Sequence, residues 1–256
     1  MSERTVSDLP IVNIVGALVA LGPLRRDLIP LLTRWSNDLV ARHNISIPLP
    51  QTVEQRTARY ERDALGEEGV DFAVYEREGW RPIGTVSLFN IDYRNRCADF
   101  GILIGEPDAR GKGYGTEATR LMLDYAFTAL GLRSVGLTVA EWNSAGQRAY
   151  VQAGFKEYGR RRSCRWRDGR WWDDVHMDAL ASEFVSPVLE EAFQRATTWP
   201  RRSPAPDTPK ARGAYSPEAQ GMATSQEDDL LAPSSRRPPC PWQTFLMRRC
   251  LPPCIP

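Results

Sequence analysis

Residues 110–115, RGKGYG, set three glycines at alternate positions between a strand-like run (CADFGILIG, residues 97–105) and a helix-like one. No other stretch constrains the fold as tightly. A backbone without Cβ atoms can approach another group closely and adopt positive φ. Consecutive N–H groups at the start of a helix aim at one point, and such a point binds phosphate. An ordinary tight turn is the other reading of the same glycines. The loop does not end in Gly-Lys-Ser/Thr, so it is not a P-loop. Its spacing, and the antiparallel look of the strands before it, exclude the dinucleotide fingerprint.

After the loop, Ala118, Leu121, Met122, Tyr125, Ala126, Ala129 and Leu130 recur at helical spacing on one face, and Gly131 supplies a left-handed C-terminal cap. Val135, Leu137 and Val139 alternate as a half-buried strand. Asn143 then caps a shorter helix carrying Gly146, Ala149, Tyr150 and Ala153 on one face, ended by Gly154. FKEYGRRRSCRW and RWWDDVHMDAL, joined across Asp168-Gly169, predict a closing hairpin. Upstream, ALVAL (residues 17–21) predicts a strand. A helix follows with Pro23 near its first turn, and a second spans Thr52 to Leu65. DFAVYERE and IGTVSLFNID are two more strands. The order is βααβββαβαββ. Residues 1–14 read as an extension, 15–182 as the folded domain and 183–197 as a C-terminal helix. Residues 198–256 hold most of the chain's 20 prolines without apolar periodicity, and predict a disordered tail.

Lys plus Arg (33) nearly balance Asp plus Glu (32), so no global field points to nucleic acid or to an anionic membrane. No apolar run long enough for a transmembrane helix occurs, and MSERTVSDLP lacks the pattern of a secretory signal. The expected compartment is the cytoplasm. Of the five cysteines, Cys240, Cys250 and Cys254 crowd into the last 17 residues at spacings that fit no metal-ligand template, and all five are expected as thiols. The only histidines, His43 and His176, argue against a multi-His site or a Ser-His-Asp triad, and no metal is expected.

RGKGYG resembles the Arg/Gln-x-x-Gly-x-Gly/Ala coenzyme A loop of the GNAT N-acyltransferases, and NSAGQRAYVQAGF (residues 143–155) resembles their Asn…Tyr…Gly-Phe segment. The two follow in the family's order, one helix and one strand apart. The resemblance covers roughly residues 15–180. Through RWSND and RPIGTVSLFNID it extends to the branch of ribosomal-protein alanine, spermidine and some antibiotic acetyltransferases. It implies the GNAT acyl-CoA N-acyltransferase fold, an α/β (α+β) architecture whose mixed, mostly antiparallel central sheet is flanked by helices. It also implies an enzyme that passes acetyl from acetyl-CoA to a primary amine in a direct ternary complex. The pyrophosphate is then expected on the N–H groups of Gly111, Gly113, Gly115 and Thr116, with positive charge from Arg110 and Lys112. The pantetheine arm is expected along the backbone of Ile102, Leu103 and Ile104, with Asn143, read first as an N-cap, also touching it.

Acyl transfer to an amine moves two protons: the ammonium loses one and the departing thiolate gains one. Tyr150 fits the second role as a neutral phenol, since an unperturbed tyrosine titrates near about 10; a core aromatic is its plain alternative. For the first role Asp99 stands on the strand that leads to the loop, and alternation groups it with Gly101 and Leu103. A salt-bridged or solvated strand carboxylate is the alternative there, and Glu141 is a weaker candidate. Cys97 and Cys164 follow no tight turn beside a base, which argues against a covalent intermediate.

In the fold that the resemblance implies, two segments wall the acceptor side. One is residues 33–51, with Trp35, Asn37, Asp38 and His43. The other is the hairpin, with Arg160, Arg161, Arg162, Arg165, Arg167, Arg170, Trp166, Trp171 and Trp172. So many arginines with few carboxylates rank a peptide N-terminus or an antibiotic amine above a polyamine. The hairpin's composition also matches a nucleic-acid surface, but one packed and one solvated face is the plainer reading. A homodimer is compatible with the resemblance. The rival to an enzyme is an acyl-CoA-binding module without acceptor chemistry.

Overall fold

The computed structural model describes residues 9–42, 49–63 and 69–197. The expected tail, His43, Cys240, Cys250 and Cys254 lie outside them. Among the described residues eight strands make one sheet: β1 (Ile14–Val15), β2 (Val19–Pro23), β3 (Gly69–Glu76), β4 (Pro82–Asp92), β5 (Cys97–Ile104), β6 (Ser134–Ala140), β7 (Lys156–Arg167) and β8 (Arg170–Leu180). Their spatial order is β1-β2-β3-β4-β5-β6-β8-β7. Neighbours pair antiparallel except β5 and β6, which run parallel. The helices are α1 (Ile29–Asn37), α2 (Leu39–Arg42), α3 (Val53–Asp63), α4 (Tyr114–Asp124), α5 (Ser144–Ala153) and α6 (Leu189–Thr197). The sheet is therefore mixed and mostly antiparallel, with helices beside it.

Two boundaries differ from the sequence reading, and the start of α3 agrees with it. Ile14 pairs with Leu21, so the sheet begins within the supposed extension. Pro23 ends β2, and it is Pro30 that sits in the first turn of α1, where a missing N–H costs nothing. α3 starts at a reciprocal capping box, with Gln55 N–H on Thr52 Oγ1 and Thr52 N–H on Gln55 Oε1.

The pleat sorts side chains onto two faces. Phe72, Val74, Val86, Leu88, Phe100, Val135, Leu137 and Met177 bury themselves against Ala118, Leu121 and Met122 of α4. On the opposite face Ala73, Tyr75 and Leu103 meet Leu28, just before α1, and Leu32 and Trp35 of α1. Asp99, Gly101 and Leu103 share this second face, as alternation requires. α4 continues into a π-helical turn, Tyr125–Ala129, before left-handed Gly131 (φ 64°).

Candidate active site

β5 and β6 pair only where Cys97–Asp99 meet Ser134–Gly136. Beyond that point β5 stays with β4 and β6 stays with β8, so the two splay and β5 is left with an open edge. Gly105 N–H donates to the Ile83 carbonyl at 2.9 Å, towards β4. The Leu103 carbonyl also faces β4, only 2.2 Å from where a Cβ on Gly84 would sit. Alternation then turns the N–H and C=O groups of Phe100, Ile102 and Ile104 towards the open edge. A chain of amides can add there as a strand does. The expectation for Leu103 is corrected: its backbone belongs to the β4 ladder and its side chain to the Trp35 cluster. Ile102 and Ile104 are the expected residues whose edge groups face the splay, the Ile104 carbonyl already accepting from Arg110.

At the end of β5 the glycine loop turns the chain into α4. Gly111 and Gly113 have φ of 75° and 84°, and Gly113 is the N-cap of α4 without a side-chain cap. Glu117 N–H bonds to the Gly113 carbonyl, so the N–H groups of Tyr114, Gly115 and Thr116 have no intrahelical acceptor. They converge with the helix dipole on one point outside the helix. Tyr114 was absent from the sequence reading, although a helix start at that residue is its signal. Its phenol also donates to Glu76 at 2.7 Å, tying the loop to β3. Lys112 is exposed beside this point.

Arg110 behaves otherwise than expected. Its Nε donates to the Ile104 carbonyl at 3.1 Å, its Nη2 donates to the Gly105 carbonyl at 3.0 Å, and Asp38 stands 3.5 Å away. The guanidinium is thus folded back onto the end of β5, where three acceptors satisfy it, and it braces the loop instead of pointing at an anion.

Asn143 caps α5 by accepting from Gly146 N–H at 2.9 Å. A Cβ on Gly146 would lie 2.6 Å from the Asn143 side chain, which explains the glycine. Tyr150, one face of α5, packs edge-on against Phe100 of β5 and Phe155. Burial pushes its phenol up to about 12. Asp99 lies across β5 on the other face and accepts from Asn90 Nδ2 at 2.9 Å. Tyr150 and Asp99 therefore flank the start of the splay from opposite sides of the sheet. Glu141 is engaged, pairing with Arg160 and accepting from Asp173 N–H.

The acceptor walls also need correction. Trp35 is buried, its indole pressed where a Cβ on Gly105 would sit and its N–H donated to Glu106. Asn37 staples Gln51, and Asp38 braces Arg110. On the hairpin, Arg160 pairs with Glu157 and Arg165 with Asp174, while Arg167 lies over Trp142 and Arg170 over Trp172. Trp166 and Trp171 are exposed and packed edge-on. Besides Tyr114, Asp178 and Phe89 escaped the sequence reading. Asp99, Gly136 and Asp178 stand in one row across β5, β6 and β8, so two carboxylates share a face with only a glycine between them. The Phe89 ring lies against Gly101 beside them. Lys156, next in that row, is paired with Glu183. Among the described residues no group of His, Cys, Asp or Glu is arranged to hold a metal, and no helix is long and apolar enough to cross a membrane.

The acetyltransferase (GNAT) domain matches residues 19–156. The spermidine N(1)-acetyltransferase of Vibrio cholerae is 36% identical over 104 residues, 41% of this chain and 60% of that one. The mouse alpha/beta-tubulin-N-acetyltransferase 9 is 28% identical over 158 residues, covering 56% and 64%. A putative ribosomal N-acetyltransferase, YdaF of Bacillus subtilis, is 34% identical over 101 residues, covering 40% and 55%. The chain thus spans roughly three fifths of the length of these curated relatives. Among solved structures, that of the Vibrio cholerae spermidine N-acetyltransferase in complex with CoA and spermine aligns over 66% of this chain and 98% of that one, with TM-score 0.61 and 27% identity.

Proposed function

Because the chain belongs to the GNAT acetyltransferase family, we propose that it transfers acetyl from acetyl-CoA to a primary amine. The observation that carries this is the splay of β5 from β6. It exposes one strand edge between a glycine loop with free N–H groups and two ionisable side chains on opposite faces. Acetyl-CoA fits that frame. Its diphosphate would meet the N–H groups of Tyr114, Gly115 and Thr116, and its amide arm would meet the edge groups of Ile102 and the N–H of Ile104, whose carbonyl Arg110 holds. Asn143, with its Oδ1 committed to the cap, keeps its amide nitrogen for the same arm.

The two faces divide the proton work. An ammonium arriving on the Asp99 face gives up a proton, through water, to that carboxylate. The freed amine forms the new N–C bond as the C–S bond breaks, and the second proton on its nitrogen passes through water to restore the Tyr150 phenol once that phenol has protonated the thiolate. The thiolate takes its proton from Tyr150 on the other face, which burial keeps as a neutral donor. For the acceptor, the row Asp99–Gly136–Asp178 favours a cationic amine of the polyamine class over a peptide N-terminus. The name of the Vibrio cholerae relative agrees. Tyr150→Phe keeps the packing on Phe100 and Phe155 and removes the proton, so single-turnover acetyl transfer falls about 10²-fold while acetyl-CoA affinity stays within about twofold. Full turnover in the Phe variant returns Tyr150 to the core.

A further inference from the structure

Glu117 stands in the first turn of α4, and its carboxylate reaches across to the turn between β1 and β2. Its Oε1 accepts from Ala17 N–H at 2.7 Å. Its Oε2 accepts from Leu18 and Val19 N–H at 2.6 and 2.7 Å. Three successive amides wrapped on one carboxylate make a nest of short, charge-assisted bonds. The same turn is held from its other side by Arg77, whose N–H donates to the Leu18 carbonyl and whose guanidinium donates to the Gly16 carbonyl. The fit leaves no slack, since a Cβ on Gly16 would come 3.0 Å from the Glu117 carboxylate. Held this way, the turn sets the Leu18 side chain over the glycine loop, its δ-methyl 3.5 Å from where a Cβ on Gly113 would lie. Leu18 is 45% exposed, so it packs on the loop without being drawn into the core.

We propose that Glu117 is a positioning residue for acyl-CoA: through the three amides it holds the β1–β2 turn, and Leu18 on that turn holds the left-handed glycine loop in its anion-binding shape. This rests on the reading that the loop binds CoA. The sign of the effect separates the proposal from electrostatics. A carboxylate one helical turn from a diphosphate opposes it by Coulomb repulsion, so on charge alone Glu117→Gln tightens CoA binding. If the carboxylate works by holding the turn, the same change loosens it, because an amide can accept at its oxygen but its NH₂ faces N–H groups.

The test is calorimetric titration of CoA, with steady-state kinetics, on the full chain and on Glu117→Gln and Leu18→Ala. The expected result is a Kd for CoA raised about tenfold in Glu117→Gln and about threefold in Leu18→Ala. The apparent KM for acetyl-CoA rises in step, while kcat at saturating acetyl-CoA and KM for the amine stay within about twofold. A carboxylate serving the fold alone lowers Tm and the active fraction and leaves that KM unmoved, which overturns the proposal. Unchanged or tighter CoA binding in Glu117→Gln overturns it too. Should that variant fail to fold, Leu18→Ala decides, an unchanged Kd overturning the proposal. Failure of the parent chain to bind CoA strikes instead at the functional reading beneath.

Discussion

Tyr150 shows how one side chain carries a packing role and a chemical one at once. Its ring closes a trio with Phe100 and Phe155, and the burial that makes this contact raises the phenol from the ordinary value of 10.0 to about 12. The folded-state value lies above the unfolded one, so the neutral form is favoured in the fold. The associated stability is intact below pH 10 and is lost as pH rises towards 12. Tyr150→Phe has no such proton to lose. Urea midpoints at pH 9 and pH 11 are therefore expected to fall less with pH in the Phe variant than in the parent, although its turnover is the lower of the two. Equal slopes would mean that the phenol is solvated after all. At this scale the sequence was legible where the cause is local. Asn143 with Gly146, and Gly113 with its positive φ, need only neighbours within four residues. Arg110 and Leu103 were misassigned because their orientation is set by β5's carbonyls and by the β4 ladder. Glu117, whose three partners lie nearly a hundred residues away, left no trace beyond an acidic residue in a first helical turn.

Among the elements, α6 is the one whose place depends on a single buried group. Asp124, fully buried at the end of α4, accepts from Ser186 Oγ at 2.6 Å, Val188 N–H at 3.0 Å and Leu189 N–H at 2.9 Å, and also from Thr128 Oγ1. A side chain from one helix thus satisfies the orphan donors at the start of another. Its negative charge also sits favourably at that N-terminus. Asp124→Ala leaves several buried donors unpaired and is expected to cost about 2–4 kcal/mol. Hydrogen exchange is expected to rise first in residues 188–197; a loss spread evenly over the sheet would contradict the capping role. The sequence reading set a helix over 183–197, whereas α6 begins only at Leu189; the hairpin β7–β8 was legible from Asp168-Gly169. β1 was not, because two residues carry no periodicity. The cap on α6 was not, because Asp124 is read from its own helix as one more polar position. The splay between β5 and β6 lies between these cases: each strand was plain, but a sequence does not say where two parallel strands cease to pair.

For the molecule as a whole, the sheet separates two kinds of chemistry. One face carries the apolar bed of α4 and α5 with the phenol; the other carries Asp71, Asp99 and Asp178 among Ser87, Thr85, Gly101 and Gly136. From the sequence, the arginines of the hairpin appeared to make this second side repel a polycation. The fold shifts that balance in part, because Arg160, Arg165 and Arg167 pair with Glu157, Asp174 and Asp168, while Arg161 and Arg162 stay exposed and Arg170 keeps its charge against an indole. The Asp178 carboxylate, in contrast, has no hydrogen bond or ion pair among the described residues and faces the same side as Asp99. A polyamine brings several charges to such a row, and a peptide N-terminus brings one, so electrostatic complementarity ranks the polyamine first. The expected outcome is a kcat/KM for spermidine at least about tenfold above that for Ala- or Ser-initiated peptides at moderate salt. Asp178→Asn should lower the spermidine value about fivefold through KM and leave the peptide value nearly unchanged. The spermidine preference should shrink as salt rises, since exposed charges are screened over about 10 Å at 0.1 M. A peptide preference that persists in Asp178→Asn would reverse the ranking and leave Phe89 and the exposed Trp166–Trp171 pair as the acceptor's contacts.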